Sequence, residues 1–307
     1  MRIKYKDIKF QPTAMAVIDA ANKILREYAS KGIVVTLRQL YYQFVARGYI
    51  VNDQKMYKKL GVIISDARLA GLIDWDYLQD RTRNLQSIRH WNTPADAVQS
   101  IAQLYHRNLW ADQEWYIEVW VEKDALLSVI EGICEKWDVP FFACRGYNSQ
   151  SEMQVAGGKR FVEQIQKGKK VRIIHLGDHD PSGVDMTKDI RSRMLGFIMH
   201  HCPNLPADGF AVKRYALNMK QIEKYQPPPN PAKMADPRAK RYIAEHGNSS
   251  WELDALDPEV LTKTIQRAIS KYVELEKWNA ALARQENERK VLVNITKKWK
   301  LVEQLVA

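Results

Sequence analysis

Three acidic residues follow predicted β-strands and could hold a metal ion together. Glu122 ends the segment WYIEVWVE, whose alternation of apolar and polar residues predicts a strand. Asp178 and Asp180 follow VRIIHLG, which predicts a buried strand. Ligands of an open parallel sheet bind outside the carboxyl ends of its strands. If the two strands are neighbours, the three carboxylates meet at one edge, and such oxygen ligands suit Mg²⁺ or Mn²⁺.

The pair Asp178 and Asp180 has a simpler interpretation as well. Two acids one residue apart are common as turn and helix-cap residues, with no metal involved. Glu122, at the end of a different predicted strand, is the feature that favours the metal site over that interpretation.

A phenol and a guanidinium are predicted to lie side by side on the helix that begins at Thr36, where TLRQ has the capping-box pattern. Tyr41 falls inside the apolar stripe of this helix and should be core, whereas Tyr42 is rotated off the stripe onto an accessible face. Arg38 lies one turn before Tyr42 and shares its flank. Arg38 could lower the pKa of the phenol or hold a phosphate. Alternatively, Tyr42 is an aromatic residue that stacks on DNA or packs on a neighbour.

Composition excludes several classes of protein. The 307 residues are 46% hydrophobic and 27% charged, which is ordinary for a globular protein of about two domains. No apolar run approaches the ~20 residues of a membrane span, so we expect no membrane partner. The three cysteines form no C-x-x-C pair, which indicates a reducing cytoplasm rather than a disulfide framework.

Positive charge is concentrated near the N-terminus. The formal net charge is +11, and residues 1–90 carry 16 Lys or Arg against 8 Asp or Glu. Residues 91–180 carry 10 and 13, so the middle of the chain is locally acidic. A basic region favours binding of a polyanion such as double-stranded DNA, because neutralised phosphates release counterions, although a merely solvated surface has the same signature. A DNA-binding protein of the cytoplasm would associate with the nucleoid.

The basic third predicts three helices followed by a two-stranded wing in GLIDWDYLQDRTR, which together resemble a winged helix-turn-helix. Its basic side chains are candidates for phosphate contacts, which orient DNA without reading its sequence. These candidates are Lys55, Lys58, Lys59, Arg68, Arg81, Arg83 and Arg89.

Strands alternate with helices after residue 110, which predicts an α/β fold with a mainly parallel sheet flanked by helices. We place a winged-helix domain at 1–110, a metal-binding α/β domain at 111–220, and a Pro-rich arm with C-terminal helices that pack on the α/β domain at 221–307. Glu252 and Asp254, in WELDALDP, are either additional metal ligands or polar surface residues before a helix capped by Asp257.

Several segments resemble one family in the same order along the chain. VEKDALLSVI, RGYNSQSE and GDHDPSGVDM are similar to the Toprim domain, a small Rossmann-like α/β module. TLRQLYYQF resembles the active-site helix in the A subunit of type IIB DNA topoisomerases (topoisomerase VI A) and in the related meiotic double-strand-break transesterases. The similarity covers roughly residues 30–90 and 115–200.

The resemblance implies a CAP-like winged-helix domain followed by a Toprim domain, and a reversible transesterification on DNA. Tyr42 would attack a backbone phosphate, Arg38 would stabilise the charge, and Glu122 would assist proton transfer or bind metal. Glu122, Asp178 and Asp180 would hold Mg²⁺. Members of the family are homodimers in which the tyrosine of one subunit approaches the metal site of the other. The chain would be a compact stand-alone relative of the kind that bacteria, phages and plasmids encode.

The sequence departs from the family at two positions: Gln39 stands where an acid is common, and Ser182 where a tyrosine is common. No G-x-x-x-x-G-K-[ST] segment occurs, so strand passage would need a separate ATPase subunit. Two alternatives remain. The first is a Toprim nuclease that hydrolyses DNA with water activated by the metal and no covalent intermediate, in defence or in plasmid or phage maintenance. The second is a non-catalytic winged-helix DNA-binding protein.

Overall fold

A four-stranded parallel sheet forms the centre of the molecule, as the α/β pattern predicts. The computed structural model describes residues 2–78, 88, 90–144 and 150–306. The strands lie in the order β2-β1-β3-β4, and every neighbouring pair is parallel. Their bounds are Trp115–Val121 for β1, Phe141–Ala143 for β2, Lys170–Leu176 for β3 and Phe210–Ala216 for β4.

The register of the sheet brings the two acidic strand ends together. β1 and β3 are neighbours, and Val121 pairs with Leu176 at their carboxyl ends. The main-chain N–H of Glu122 donates to the carbonyl of Leu176 at 2.9 Å. Glu122 and the turn after β3 therefore leave the sheet at the same edge, as expected for this strand order.

Helices cover both faces of the sheet, and most of the buried strand residues are apolar. One face packs against α5 (Leu127–Lys136) and α11 (Pro258–Ser270), with Ile130 and Ile265 fully buried between the layers. The opposite face carries three helices: α6 (Gln150–Val155), α7 (Phe161–Gln166) and α8 (Pro181–His201).

The N-terminal helices form a unit with its own apolar core. Its helices are α1 (Pro12–Ala29), α2 (Leu37–Ala46) and α3 (Gln54–Leu69). The predicted capping box at Thr36 and Gln39 is present, since the Thr36 hydroxyl accepts from the Gln39 N–H while the Gln39 side chain accepts from the Thr36 N–H. Ala255, from the C-terminal region, completes this core.

The prediction of a two-stranded wing is wrong for the part of GLIDWDYLQDRTR that the structure describes. Trp75–Tyr77 form a 3₁₀ turn rather than a strand, and the Asp74 carboxylate caps it by accepting from the Asp76 N–H. Capping by aspartate favours a turn over an extended chain at this point. Residues 79–87 lie outside the described residues.

The C-terminal third is helical, as predicted, and packs back on the sheet. Asp257 caps α11, with Pro258 at its first position, and Trp278 and Ala281 of α12 join the core beneath the sheet. The remaining elements are α4 (Pro94–Leu104), α9 (Met219–Tyr225), β5 (Asn230–Pro231), α10 (Ala239–His246), β6 (Ser249–Ser250), α12 (Leu275–Lys297) and α13 (Trp299–Val306). Of these, α4 packs against α12. Within the described chain, no helix has the length and apolar character needed to cross a membrane.

Candidate functional site

The turn after β3 is built around main-chain donors that hold its acids. Glu122 Oε2 accepts the N–H of Asp178 at 2.8 Å, and Asp180 caps α8 by accepting the N–H of Gly183 at 2.6 Å. A Cβ at Gly183 would lie 2.2 Å from the carbonyl oxygen of Asp178 and 3.0 Å from Glu122 Oε2. Only glycine therefore allows the start of α8 to approach the two acids this closely.

The three predicted ligands share one edge of the sheet but are not a preformed ligand set. Among the described residues, no group of three or more Asp, Glu, His or Cys side chains is arranged to hold a metal ion. Each acid instead uses an oxygen on a main-chain N–H, and for Asp178 that donor is Leu253 at 2.8 Å. A metal ion would therefore require these side chains to rotate away from their present hydrogen bonds.

Burial and neighbouring acids disfavour the ionised forms of the carboxylates at this edge. Burial raises the pKa of Glu122, and the charge of Asp178 raises it further. Burial also raises the pKa of Asp178, and the nearby Asp254 acts in the same direction, while Lys123 opposes the rise. Groups whose ionised forms are disfavoured in this way gain most from a cation placed among them.

Arg214, from β4, binds the turn after β3 that carries Asp178 and Asp180, which we call the acidic turn. Its guanidinium donates five hydrogen bonds to backbone and side-chain oxygens around the turn, in which the acceptors are the carbonyls of Gly177, Asp178, Gly183 and Leu217 and the hydroxyl of Thr187. Arg214 was not predicted as a site residue. A second basic residue beside Lys213 in the strand FAVKRYA is the signal that could have found it, because a charge in a covered strand needs partners.

Lys123 connects the acidic turn to a second acidic segment. Its ammonium lies 2.8 Å from Asp178 Oδ2, 2.9 Å from Glu252 Oε2 and 3.2 Å from Asp254 Oδ1. Burial opposes the charge on Lys123, but Asp254, Asp178 and Glu252 outweigh it and raise the pKa of the amine. Glu252 and Asp254 are thus part of the site, and the interpretation of both as surface residues is wrong.

The segment that carries Glu252 and Asp254 is fixed directly to the acidic turn. His179 and Trp251 exchange main-chain hydrogen bonds of 2.8 and 2.9 Å. The imidazole of His179 lies 2.8 Å from the hydroxyl of Tyr242, which donates in turn to the carbonyl of Ser249. These contacts add the segment to the end of the sheet like a further short strand.

Arg38 extends the ionic network to helix α2. Its guanidinium is ion-paired with Glu252, and its Nε lies 2.6 Å from Asp254 Oδ2. The hydroxyl of Tyr42 lies 3.5 Å from an Arg38 nitrogen, so the predicted pairing of phenol and guanidinium is confirmed. A chain of charged contacts therefore runs from Tyr42 through Arg38, Glu252 and Lys123 to Asp178.

The prediction that Tyr42 lies on an accessible face is wrong. Tyr42 is 3% exposed, as deeply buried as Tyr41 at 4%. Burial raises the pKa of the Tyr42 phenol, and Asp254 and Glu252 add to the rise, so Arg38 does not lower it below its ordinary value. The helical pattern of α2 identified one buried face, whereas the C-terminal segment covers a second face that no local pattern could show.

The candidates for DNA contact divide into three groups. Lys55, Lys58 and Lys59 are exposed along α3, as predicted. Arg68 is not free for a phosphate, because it donates to the carbonyls of Trp75 and Leu78 and stacks on the Trp75 ring at 4.3 Å. The remaining candidates, Arg81, Arg83 and Arg89, lie outside the described residues.

The charges of the assembled site do not balance. When all are ionised, its carboxylates outnumber the enclosed cations by two: the acids are Glu122, Asp178, Asp180, Glu252 and Asp254, and the cations are Arg38, Lys123 and Arg214. Lys233 approaches Asp180 only to 3.8 Å from a side chain that is 77% exposed, where solvent screens it. One divalent cation would supply the missing charge.

The sequence matches no protein-family model, and none of the curated proteins matches it either.

Proposed function

We propose that this protein cleaves double-stranded DNA with the help of one Mg²⁺ or Mn²⁺ ion bound at the edge of the sheet by Glu122, Asp178 and Asp180. The observation that carries the proposal is the meeting of Glu122 with the turn after β3, where burial raises the pKa values of Glu122 and Asp178 and where the carboxylates, if all were ionised, would outnumber the cations by two. Their oxygen donors suit a hard divalent cation. In this proposal the sheet is a Toprim domain and α1–α3 belong to a winged-helix domain.

Each residue of the site would have a separate role in phosphodiester cleavage. A bound Mg²⁺ would neutralise the phosphate and favour charge build-up on its oxygens. Burial raises the pKa of Glu122 when no ion is bound, whereas with the ion bound Glu122 would be ionised and would take up the proton that the reaction releases. Arg38 and Lys123, which are ion-paired with the acids in the metal-free protein, would add positive charge near a bound phosphate. Lys55, Lys58 and Lys59 would hold the duplex by its backbone.

Hydrolysis is the reaction that the single chain favours. The phenol of Tyr42 is 3% exposed and its raised pKa keeps it protonated, so a phosphate cannot reach it without movement of α2 away from Glu252. Water is then the nucleophile. One P–O bond forms to the water oxygen, the P–O bond to the sugar breaks, and the sugar oxygen takes a proton.

Transesterification by Tyr42 is the second candidate, and the contact with Arg38 favours it. The phenol lies 3.5 Å from that guanidinium, in a network that reaches Asp178. In this reaction the phenolic oxygen bonds to phosphorus and a carboxylate takes its proton, while the P–O bond to the sugar breaks and the sugar oxygen takes up a proton and leaves as a hydroxyl. A homodimer that opens the contact between α2 and Glu252 would expose Tyr42 to the partner's metal site. We would then expect a cytoplasmic, nucleoid-associated enzyme with a separate ATPase subunit for strand passage.

One assay separates these reactions. Supercoiled DNA is incubated with the protein and Mg²⁺ or Mn²⁺, the reaction is stopped with detergent, and protein-linked DNA is measured before and after protease treatment. Hydrolysis predicts free ends and a Tyr42→Phe variant that still cuts, whereas transesterification predicts a protein-linked product that Tyr42→Phe abolishes.

Asp178→Asn should abolish cutting in both cases, and Asp124→Asn, which changes an acid at the start of the next 3₁₀ turn, is the matched control. Salt-sensitive DNA binding without cutting in any divalent metal would overturn the proposal in favour of a non-catalytic DNA-binding protein.

A further inference from the structure

The ammonium of Lys123 occupies a position where carboxylates from two separate segments converge. Asp178 comes from the turn after β3, and Glu252 and Asp254 come from the segment after β6. The three oxygens nearest to the Lys123 nitrogen lie 2.8–3.2 Å away, and the side chains of Asp178 and Asp254 are almost fully buried. An enclosed point with three acidic oxygens is an environment for a cation, and the chain supplies that cation itself.

Lys123 directly follows Glu122, so its positive charge lies next to a proposed metal ligand. Because the two residues are consecutive, the end of β1 delivers one acid and one cation to the same edge. Asp178 connects them, since its N–H donates to Glu122 and its Oδ2 lies 2.8 Å from the Lys123 ammonium. In two-metal phosphodiesterase sites, a shared carboxylate lies between two ions about 3.5–4 Å apart.

We infer that Lys123 takes the place of a second divalent ion, and that this residue limits the site to one metal. The inference rests on the proposed metal site. Asp178 can still face the first ion while it pairs with Lys123, because each carboxylate oxygen has two acceptor sites. An ammonium supplies one fixed positive charge and cannot be lost to a chelator, so the second position stays filled at any metal concentration.

The site without Lys123 should accept a second ion. Removal of the ammonium leaves Asp178, Glu252 and Asp254 around a buried point with only Arg38 to balance them. Ligand distances for Mn²⁺ and Mg²⁺ are about 1 Å shorter than the contacts to the lysine nitrogen, so the three carboxylates would close around the ion. Burial makes unpaired charges costly, which drives this binding.

The experiment counts bound Mn²⁺ by isothermal titration calorimetry on the full-length chain. The wild type should bind one Mn²⁺ per chain, and Lys123→Met should bind two. Lys123→Arg, which keeps the charge, should bind one. Lys31→Met is the matched control and should bind one, because Lys31 also pairs with two glutamates, but at the surface.

A double variant identifies the ligands of the second ion. Adding Glu252→Gln to Lys123→Met should return the count from two to one, since it removes a ligand of the second position only. A count of one for Lys123→Met, or of two for the wild type, would overturn the inference and leave the proposed function standing. A wild type that binds no Mn²⁺ would remove the proposed metal site itself.

Loss of folding in Lys123→Met does not weaken the test. If this variant unfolds in a chelator, its thermal midpoint is measured against Mn²⁺ concentration, and Lys123→Gln, which keeps a donor for the carboxylates, is titrated in parallel. Two-site dependence in both variants supports the inference, and one-site dependence contradicts it.

Discussion

The main-chain N–H of Asp178 donates to Glu122 Oε2 at 2.8 Å, which joins the ends of the two central strands through one acid. This bond holds the Glu122 carboxylate in a buried position beside Asp178 and Asp180. Its burial and the negative charges of those two acids disfavour its ionisation. An arrangement of this kind lowers the stability of the metal-free protein at neutral pH, and it is maintained because the turn and Arg214 hold the acids in place.

Replacement of Glu122 by glutamine should stabilise the metal-free protein at high pH. Burial and Asp178 raise the pKa of Glu122 from 4.5 to about 7 in the folded state. The proton on Glu122 therefore contributes stability that is complete below pH 4.5 and is lost as the pH rises through 7. Urea unfolding in a chelator should show Glu122→Gln more stable than the wild type by on the order of 1–3 kcal/mol at pH 8, and nearly equal to it at pH 5. Equal differences at both pH values would contradict the assignment of the buried charge to Glu122.

Replacement of Glu252 by glutamine should have the opposite dependence on pH. Burial alone would raise the pKa of Glu252, but Lys123 and Arg38 outweigh it and lower the pKa to about 2. The ionised form thus contributes stability that is present above pH 4.5 and is lost as the pH falls toward 2. We expect Glu252→Gln to lose on the order of 1–3 kcal/mol at pH 7, with a smaller loss at pH 3.

Glu259 provides the control for Glu252, because it also pairs with two lysines but does so at the surface. Glu259→Gln should change the free energy of unfolding far less than Glu252→Gln does at pH 7, as surface ion pairs contribute little. If the two variants lose equal stability, the ionic network around Lys123 is no stronger than a surface pair.

Arg214 should control metal affinity by holding the acidic turn. Arg214→Lys keeps the charge but cannot reproduce the five hydrogen bonds of the guanidinium, so the turn that carries Asp178 and Asp180 loses its support. We expect Mn²⁺ affinity to fall by about tenfold or more, as measured by calorimetry.

Arg160→Lys is the comparison for Arg214, because Arg160 also binds through several nitrogens but pairs with a carboxylate of β1 and not with the turn after β3. Its guanidinium pairs with the buried Glu118 at 2.6 and 3.0 Å, within the network of Tyr116 and Trp120. This variant should lose stability and keep its affinity for Mn²⁺. A parallel fall in affinity for both variants would show that general destabilisation, and not the turn, explains the effect.

The hydroxyl of Tyr28 should stabilise the contact between the N-terminal helices and the α/β part. It donates to Asp257 Oδ2 at 2.6 Å, and Asp257 also caps α11 through the N–H of Glu259. Tyr28→Phe should cost about 1–3 kcal/mol as a hydrogen bond to a charged group. Asp257→Ala should cost about 1 kcal/mol more, because it also removes the cap. A double-mutant cycle by urea unfolding measures the coupling, and a coupling near zero would show that the contact carries no stability.

Local patterns in the sequence predicted the elements of the fold well. Alternation of apolar residues predicted β1, and a continuous apolar run predicted β3. The capping box of Thr36 and the Asp257–Pro258 pair marked the starts of two helices. Each of these signals depends on residues a few positions apart, whose side chains act on their own backbone. The prediction of a two-stranded wing was wrong at Trp75–Tyr77, where the Asp74 cap favours a 3₁₀ turn over a strand.

The candidate site was predicted only in part, because its remaining residues come from distant segments. The acids Glu122, Asp178 and Asp180 could be placed at one edge from strand order alone. The partners of Arg214 and Lys123 could not, since several lie far away in the chain: Gly183 is 31 residues from Arg214, and Asp254 is 131 residues from Lys123.

The sequence by itself determined which segments become strands and helices, which strand ends carry acids, and that Arg38 and Tyr42 lie together on one helix. Tertiary structure alone decided that Tyr42 is buried and that Lys123 is surrounded by carboxylates. The physical reason is that periodicity reports which face of a helix is apolar, whereas the segment at 249–255, which covers the other face of α2, is attracted by charge. That attraction exists only after β1, β3 and the C-terminal segment have assembled.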